Sequence, residues 1–508
     1  MTGILSVAAR GEREPLAVAS ETTGAELEEI VARAARASRV LAEATRADRA
    51  RLLRALADAL ESDADAIVAA ADEETALGAP RLTGELARSS NQLRLFAEVL
   101  EDGGYLSATI DHANPAAVPV AVPDLRRMLV PIGPVAVFSA SNFPLAFSVP
   151  GGDTASALAA GNSVVVKVHS GHPATSLACA ASLRRGAELA GFPADIVSLV
   201  FGTAAGVQLV KHPSIKAASF TGSVPGGRAL FDIAAARPEP IPFFGELGSI
   251  NAFVITGAAI AERGDELAAG LAASFTLGLG QFCTKPGLVL VPAGADDFIA
   301  SLTRAAAGVA PGTMLNPRIR GGWAASIDAL SQAEAVTTLL AGLGTGEGLA
   351  GVSLYSMPAS AVLERGADSP AFEECFGPST LVVTYADEEE LTAVLALVPG
   401  SLTGTVHATE AEGAPGTLAS RAVALLSERC GRVLWNQYPT GVAVTWAQQH
   451  GGPYPATTSS ASTSVGAASI LRFLRAVAWQ NAPAALLPVE LRDDNPTGVP
   501  QRVDGRLS

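Results

Sequence analysis

The chain has 508 residues, a formal net charge of −15, 49% hydrophobic residues and 17% charged ones. That length calls for two or three cores, and the high apolar fraction with sparse charge excludes intrinsic disorder. The acidic balance, with no Lys/Arg cluster against it, excludes nucleic acid as an expected partner, and no run of about 18 apolar residues offers a membrane span.

At the start, "MTGILSVAARGEREPL" meets charge too early for a secretory signal, so a soluble cytoplasmic protein is expected. Cys179, Cys283, Cys375 and Cys430 lie far apart with no CxxC pair, which rules out a zinc ribbon or redox dithiol and suits a reducing compartment. The six histidines are scattered, and His169 and His172 in "VHSGHP" are expected to cap or line a loop, so no metal site is expected.

From about 24 to 100, apolar residues recur at three- and four-residue steps with Arg and Glu between them, predicting long amphipathic helices to which no chemistry is assigned. Residues 104 to 126 are Pro- and Ala-rich and read as an extended connection or arm. Past 127 the rhythm changes. "RMLVPIGPVAVFSA", "NSVVVKV", "IVSLVFG", "IKAASFTG" and "IPFFGEL" read as strands separated by helical stretches, the pattern of βαβ units and a parallel sheet. A second alternation runs from "INAFVIT" to about 440, predicting a second α/β domain. The tail, Ser/Thr/Gly-rich and then apolar, reads either as a surface loop or as a strand and arm packing on another subunit.

The residues able to do chemistry fall at junctions between strands and loops, and ligands of such sheets gather at the carboxyl ends of strands. Asn142 in "FSASNFP" carries an amide suited to an oxyanion, or is simply a turn residue before Pro144. Lys167 ends an apolar strand, where it meets a ribose or phosphate, or snorkels to solvent. Gly222 and Gly227 in "FTGSVPGG" set a GxxxxG turn at a helix start, a weak phosphate signal. Glu246 in "FFGELGS" follows an apolar strand, so desolvation should raise its pKa toward a general base; a loop cap is the alternative. Cys283 in "LGLGQFCTKPG" stands after a run of glycines, where nearby N–H groups would lower a thiol's pKa; an inert buried cysteine is the alternative. In "EECFGP", Glu374 suits a sugar diol and Phe376 a flat ring, with Cys375 structural.

Asn142, Lys167, "FTGS", "GEL", "GQFC" and "FGP" together, in that order over residues 25 to 480, resemble the aldehyde dehydrogenase superfamily. "SNFPLAFSVPGGDTASALAAGN", "GQFCTKPGLV", "PTGVAV" and "HGGPYPATT" are similar to its 2-oxoglutarate-semialdehyde (2,5-dioxovalerate) dehydrogenase branch, which also holds NADP-using fatty aldehyde enzymes. The resemblance implies two doubly wound parallel-sheet α/β domains plus a small oligomerisation arm. By it, residues 1–110 and 132–248 bind NAD(P), 249–440 carry the nucleophile, and 111–131 with 441–508 form the arm and tail of a homodimer or homotetramer. Cys283 would attack the aldehyde, Asn142 and the Cys283 N–H would hold the oxyanion, and Glu246 would activate the water that hydrolyses the thioester. Lys167 would bind the adenosine ribose, Ser223 (after Gly222) would approach the pyrophosphate, and Glu374 and Phe376 would hold the nicotinamide end. Where many NAD-preferring members have a glutamate three residues after the lysine, this chain has Ser170, which does not repel a 2′-phosphate, so NADP is expected with NAD permitted. The implied substrate is 2-oxoglutarate semialdehyde, with a broad or fatty aldehyde as the alternative and a non-redox cysteine acyltransferase or hydrolase as the alternative of another class. Lys285 is a candidate for a substrate carboxylate, or else structural.

Overall fold

The computed structural model describes residues 3–11, 13–342 and 348–507. Four helices, Gly24–Glu43, Arg46–Ser62, Ala64–Thr75 and Ala79–Asp102, fill the stretch read as helical. The first begins at Thr23, whose hydroxyl accepts from the Glu26 N–H while Glu26 reaches back, a capping box that fixes the start. Its buried stripe, Leu27, Val31, Ala34 and Leu41, follows the helical period and packs inward.

Five parallel strands form the first sheet in the order Val197–Val200, Val164–Lys167, Val135–Phe138, Ala217–Thr221, Phe243–Glu246. Side chains alternate between its faces, so Val135 and Val137 join one core with the N-terminal helices, while Ala136 and Phe138 join another with Leu209 and Leu230. The second sheet has seven strands, in the order Thr337–Leu340, Ser353–Pro358, Ser379–Tyr385, Leu288–Pro292, Ala252–Ile255, Ser401–His407, Cys430–Trp435. Its strands are parallel except Thr337–Leu340 at one edge. Here too alternate residues feed opposite cores: Ala252 and Val254 one, Phe253 and Ile255 the other. Both sheets are covered on both faces, as the near-continuous apolar strand sequences require.

A third, mixed sheet joins Leu474–Gln480, Leu125–Pro131, Ala108–Asp111, Gln501–Val503 and Arg506–Leu507. Leu474–Gln480 pairs antiparallel with the whole of Leu125–Pro131, which ties the tail to the arm. The expected tail segment 441–508 divides. Residues 474 to 507 belong to the arm sheet, but the Ser/Thr/Gly-rich stretch before it is neither surface loop nor arm. Thr457 bridges Glu246, Leu247 donates its N–H to the Ala456 carbonyl, and Ile470 and Phe473 enter the first core. Its hydroxyls and small side chains allow it to lie against backbone in a buried position. Among the described residues no helix is long and apolar enough to cross a membrane.

Candidate active site

The loop bearing Cys283 is built on left-handed backbone, at two glycines and at Leu279 between them. After helix Gly257–Thr276 the chain turns through Leu277–Gly280, with Gly278, Leu279 and Gly280 all at positive φ. At Gly280 a Cβ would lie 2.1 Å from the Gly377 carbonyl oxygen, so the glycine lets this loop press on the "FGP" loop. Three side chains then pin it. Asn142 Nδ2 donates to the Gln281 carbonyl at 3.0 Å, and Asn251 Nδ2 donates to the Cys283 and Lys285 carbonyls at 2.8 and 2.9 Å. Lys285, fully enclosed, donates from Nζ to the Cys375 and Ser379 carbonyls at 2.7 Å each. Lys285 is therefore a structural tie between loops, and the substrate-carboxylate reading of it is set aside.

Glu246 lies at the carboxyl end of its strand in the first sheet, whereas Cys283 and Glu374 precede strands Leu288–Pro292 and Ser379–Tyr385 of the second. The rule of carboxyl ends thus holds in one sheet, and the other contributes from its amino end. Between them stands His450, whose Nε2 is 2.9 Å from Glu246 Oε1 and 3.6 Å from Cys283 Sγ. Ser464 donates its hydroxyl to the other Glu246 oxygen. His450 Nδ1 is buried without a hydrogen-bond partner, and Nε2 is the nitrogen that meets both groups. The sulfur, nitrogen and oxygen lie within 4.8 Å of one another. A metal ion would accept that spacing, but the direct Nε2–Oε1 hydrogen bond favours its use for proton transfer.

Charge in this cluster departs from the sequence expectation. Burial pushes the Glu246 carboxyl up, but the His450 charge and hydrogen bond, with Ser464, outweigh it and hold the group below its ordinary value. Burial pushes the Cys283 thiol well above its ordinary value, and Glu246 and Glu374 add to that while Arg88 opposes it. The resting sulfur is a thiol rather than a pre-formed thiolate, and the ionised group beside it is Glu246.

Lys167 ends its strand, mostly enclosed, with its pKa lowered by burial and by Arg318, a residue that follows the helix cap Asn316. Ser170 is exposed beside it. His169 and His172 stack; His169 Nδ1 accepts from the Gly171 N–H in its own loop, and His172 Nε2 meets the Ala140 carbonyl in the loop of Asn142. The Gly222 N–H is already taken by the Glu246 carbonyl at 3.0 Å, so that amide offers nothing to a phosphate. Ser223 next to it is exposed and caps helix Val224–Ala235 from its side chain. A Cβ at Gly248 would lie 2.6 Å from Glu374 Oε2 and 3.1 Å from Val224, so the bare glycine forms a cradle that brings Glu374 over the start of that helix. Burial raises the Glu374 carboxyl to about 7. Phe376 stands half-buried two residues on. Exposed helix-start backbone, a bare cradle and two cations fit a dinucleotide.

Sequence reasoning missed His450, Ser464 and Asn251. "HGGPYPATT" contains the first, but nothing local marks a ring that meets Glu246 from 204 positions away.

Comparison places this arrangement in a class. The profile described as the Aldehyde dehydrogenase family matches residues 3–475, and the chain belongs to that family. It is an NAD(P)-dependent aldehyde-oxidising enzyme. More particularly, it is 45% identical to alpha-ketoglutaric semialdehyde dehydrogenase 2 of Azospirillum brasilense, over 91% of this chain and 87% of that one. It is also 41% identical to the alpha-ketoglutaric semialdehyde dehydrogenase of Acinetobacter baylyi, over 91% and 88%. Among solved structures it resembles aldehyde dehydrogenase C of Pseudomonas syringae in complex with NAD+ and octanal, with a TM-score of 0.79 at 20% identity over 95% and 94% of the chains.

Proposed function

We propose that the chain oxidises 2-oxoglutarate semialdehyde to the dicarboxylic acid, with NADP as the preferred acceptor and NAD also accepted. The observation that carries this reading is the convergence of Cys283, Glu246 and His450 from three separate stretches of chain on one point, with Asn142 bonded to the Gln281 carbonyl two residues before Cys283. The substrate rests on the two semialdehyde dehydrogenases to which the chain is similar along most of its length. Cys283 Sγ adds to the aldehyde carbon while its proton passes to Glu246, the ionised group beside it. Asn142 Nδ2, through the hydrogen not given to the Gln281 carbonyl, and the Cys283 N–H would donate to the oxygen that becomes negative. The nicotinamide, when bound, accepts hydride, leaving an acyl thioester on sulfur. Glu246 releases the thiol proton to solvent, then takes a proton from the water that attacks the thioester and passes it to the departing sulfur, so that the acid leaves and the thiol is restored. His450 and Ser464 keep the carboxylate ionised and aimed.

Lys167, Ser170, Gly222, Ser223, Glu374 and Phe376 would hold the nucleotide, with Gly222 contributing open space rather than a hydrogen bond. Lys167 and Arg318 near Ser170 favour a 2′-phosphate. A homodimer or homotetramer is supported by Val118, Val120 and Leu507, exposed apolar residues of the arm. Four free cysteines among the described residues fit a cytoplasmic setting.

Rapid mixing tests the chemistry. Glu246→Gln should slow the burst of absorbance at 340 nm, because the acceptor of the thiol proton is gone, and should lower the steady rate at least about 100-fold; an unchanged steady rate would overturn the role of Glu246. For the acceptor, kcat/KM should be higher with NADP than with NAD, and a strong NAD preference refutes that choice.

A further inference from the structure

Two arginines stand near the nucleophile without a carboxylate in ion-pair contact among the described residues, Glu85 being the acid whose field reaches both. Arg81 and Arg88 lie on helix Ala79–Asp102, seven residues apart and so on one face. Arg88 Nη1 donates to the Val442 carbonyl at 2.8 Å, and its guanidinium sits 5.5 Å from the centre of the Phe147 ring. That ring is 6.2 Å from the ring of His450, which in turn reaches Cys283. Arg81 Nη2 donates to the Asn142 carbonyl at 2.7 Å, and its guanidinium lies 5.1 and 5.0 Å from the rings of Phe143 and Phe282. Arg88 Nε and Arg81 Nη1 are buried without a hydrogen-bond partner. Among the described residues neither guanidinium forms an ion pair with a carboxylate. Glu85 lies between them on the helix, but its Oε1 accepts from the Leu145 and Ala146 amides, and burial pushes its carboxyl up.

An enclosed guanidinium without a counter-ion is costly unless an anion arrives to meet it. The free N–H groups, the forked shape of guanidinium and the aromatic walls describe a receptor for a flat anion. We infer that Arg88 and Arg81 form the subsite that receives the far carboxylate of the aldehyde substrate. The inference rests on the acidic-aldehyde reading above and assigns the groups that would enforce it. A five-carbon chain in extended form separates the aldehyde carbon from the carboxyl carbon by about 5 Å, so a substrate bound through sulfur carries its acid group into the neighbourhood of this pair. The field of Arg88 already reaches Cys283, where it opposes the effect of burial on the thiol.

The test compares kcat/KM for 2-oxoglutarate semialdehyde and for pentanal in the intact enzyme, R88M and R81M, with R88K as the conservative variant. In R88M and R81M the ratio of acidic to neutral substrate should fall at least 30-fold, mainly through KM, with partial recovery in R88K. A ratio that stays within threefold of the unaltered enzyme, including one in which both substrates fall alike, overturns the assignment. If the unaltered enzyme itself shows no preference for the acidic aldehyde, the substrate reading fails and the subsite with it. If that preference is present and the variants keep it, only the arginine assignment fails. Glutarate supplies a readout independent of turnover. It should protect Cys283 from alkylation in the unaltered enzyme and at least tenfold less well in R88K, and equal protection would count against the subsite.

Discussion

His450 decides how Glu246 behaves. Burial alone drives a carboxyl toward its neutral form, and the sequence, which displays the apolar strand before Glu246 but not its distant partner, led to that expectation. The His450 ring and the Ser464 hydroxyl reverse the sign. Glu246 has a depressed pKa, so its ionised form persists down to a pH below its ordinary value and is lost as pH falls further. His450→Gln removes the ring that bonds Glu246, leaves burial less opposed, and moves the acid limb of the kcat–pH profile to higher pH, with a loss of about tenfold or more at pH 7. A profile that drops without shifting would mean that His450 only fills space. Cys283, Glu246 and Asn142 could be singled out because their motifs stand in a family's order, Glu246 and Asn142 after apolar strands and Cys283 after a run of glycines, although each motif alone left a structural alternative open. His450, Arg81 and Arg88 were not, since a histidine before two glycines and arginines on a charged helix look like ordinary loop and surface residues.

Elements were legible where the period was strong. The five strands of the first sheet, and Ala252–Ile255 of the second, fall within the apolar runs that mark them, because burial on both faces leaves few other sequences able to form such strands. The segment around 450 to 473 was misread for the same reason. It is rich in Ser, Thr and Gly, a composition common to surface loops, yet here its hydroxyls serve buried backbone and Glu246. In the nucleophile loop, Gly280 is held at a φ of 63 with the Gly377 carbonyl against it. Gly280→Ala should lower stability by more than about 1 kcal/mol and cut activity more than tenfold, as the added methyl drives the two loops apart. Thermal melting and steady-state rates check this, and a variant with unchanged Tm and rate would show that the loop yields easily.

At the scale of the whole chain, the arm sheet ties residues 108 to 131 to the last thirty or so, with Leu474–Gln480 forming one edge. That edge carries unpaired backbone groups, and an edge strand left in water invites a second chain. Light scattering at micromolar concentration should give the mass of a dimer or tetramer, and charge introduced by Val120→Glu and Leu507→Glu should shift it toward the single chain. A monomer before any substitution refutes the assembly.

The 167 positions between Cys283 and His450 also fix the order in which the protein matures. A ribosome delivers the sulfur well before the ring and hydroxyl that govern the neighbouring carboxylate, so a nascent chain holds its most hazardous atom unarmed until nearly all of the polypeptide has emerged.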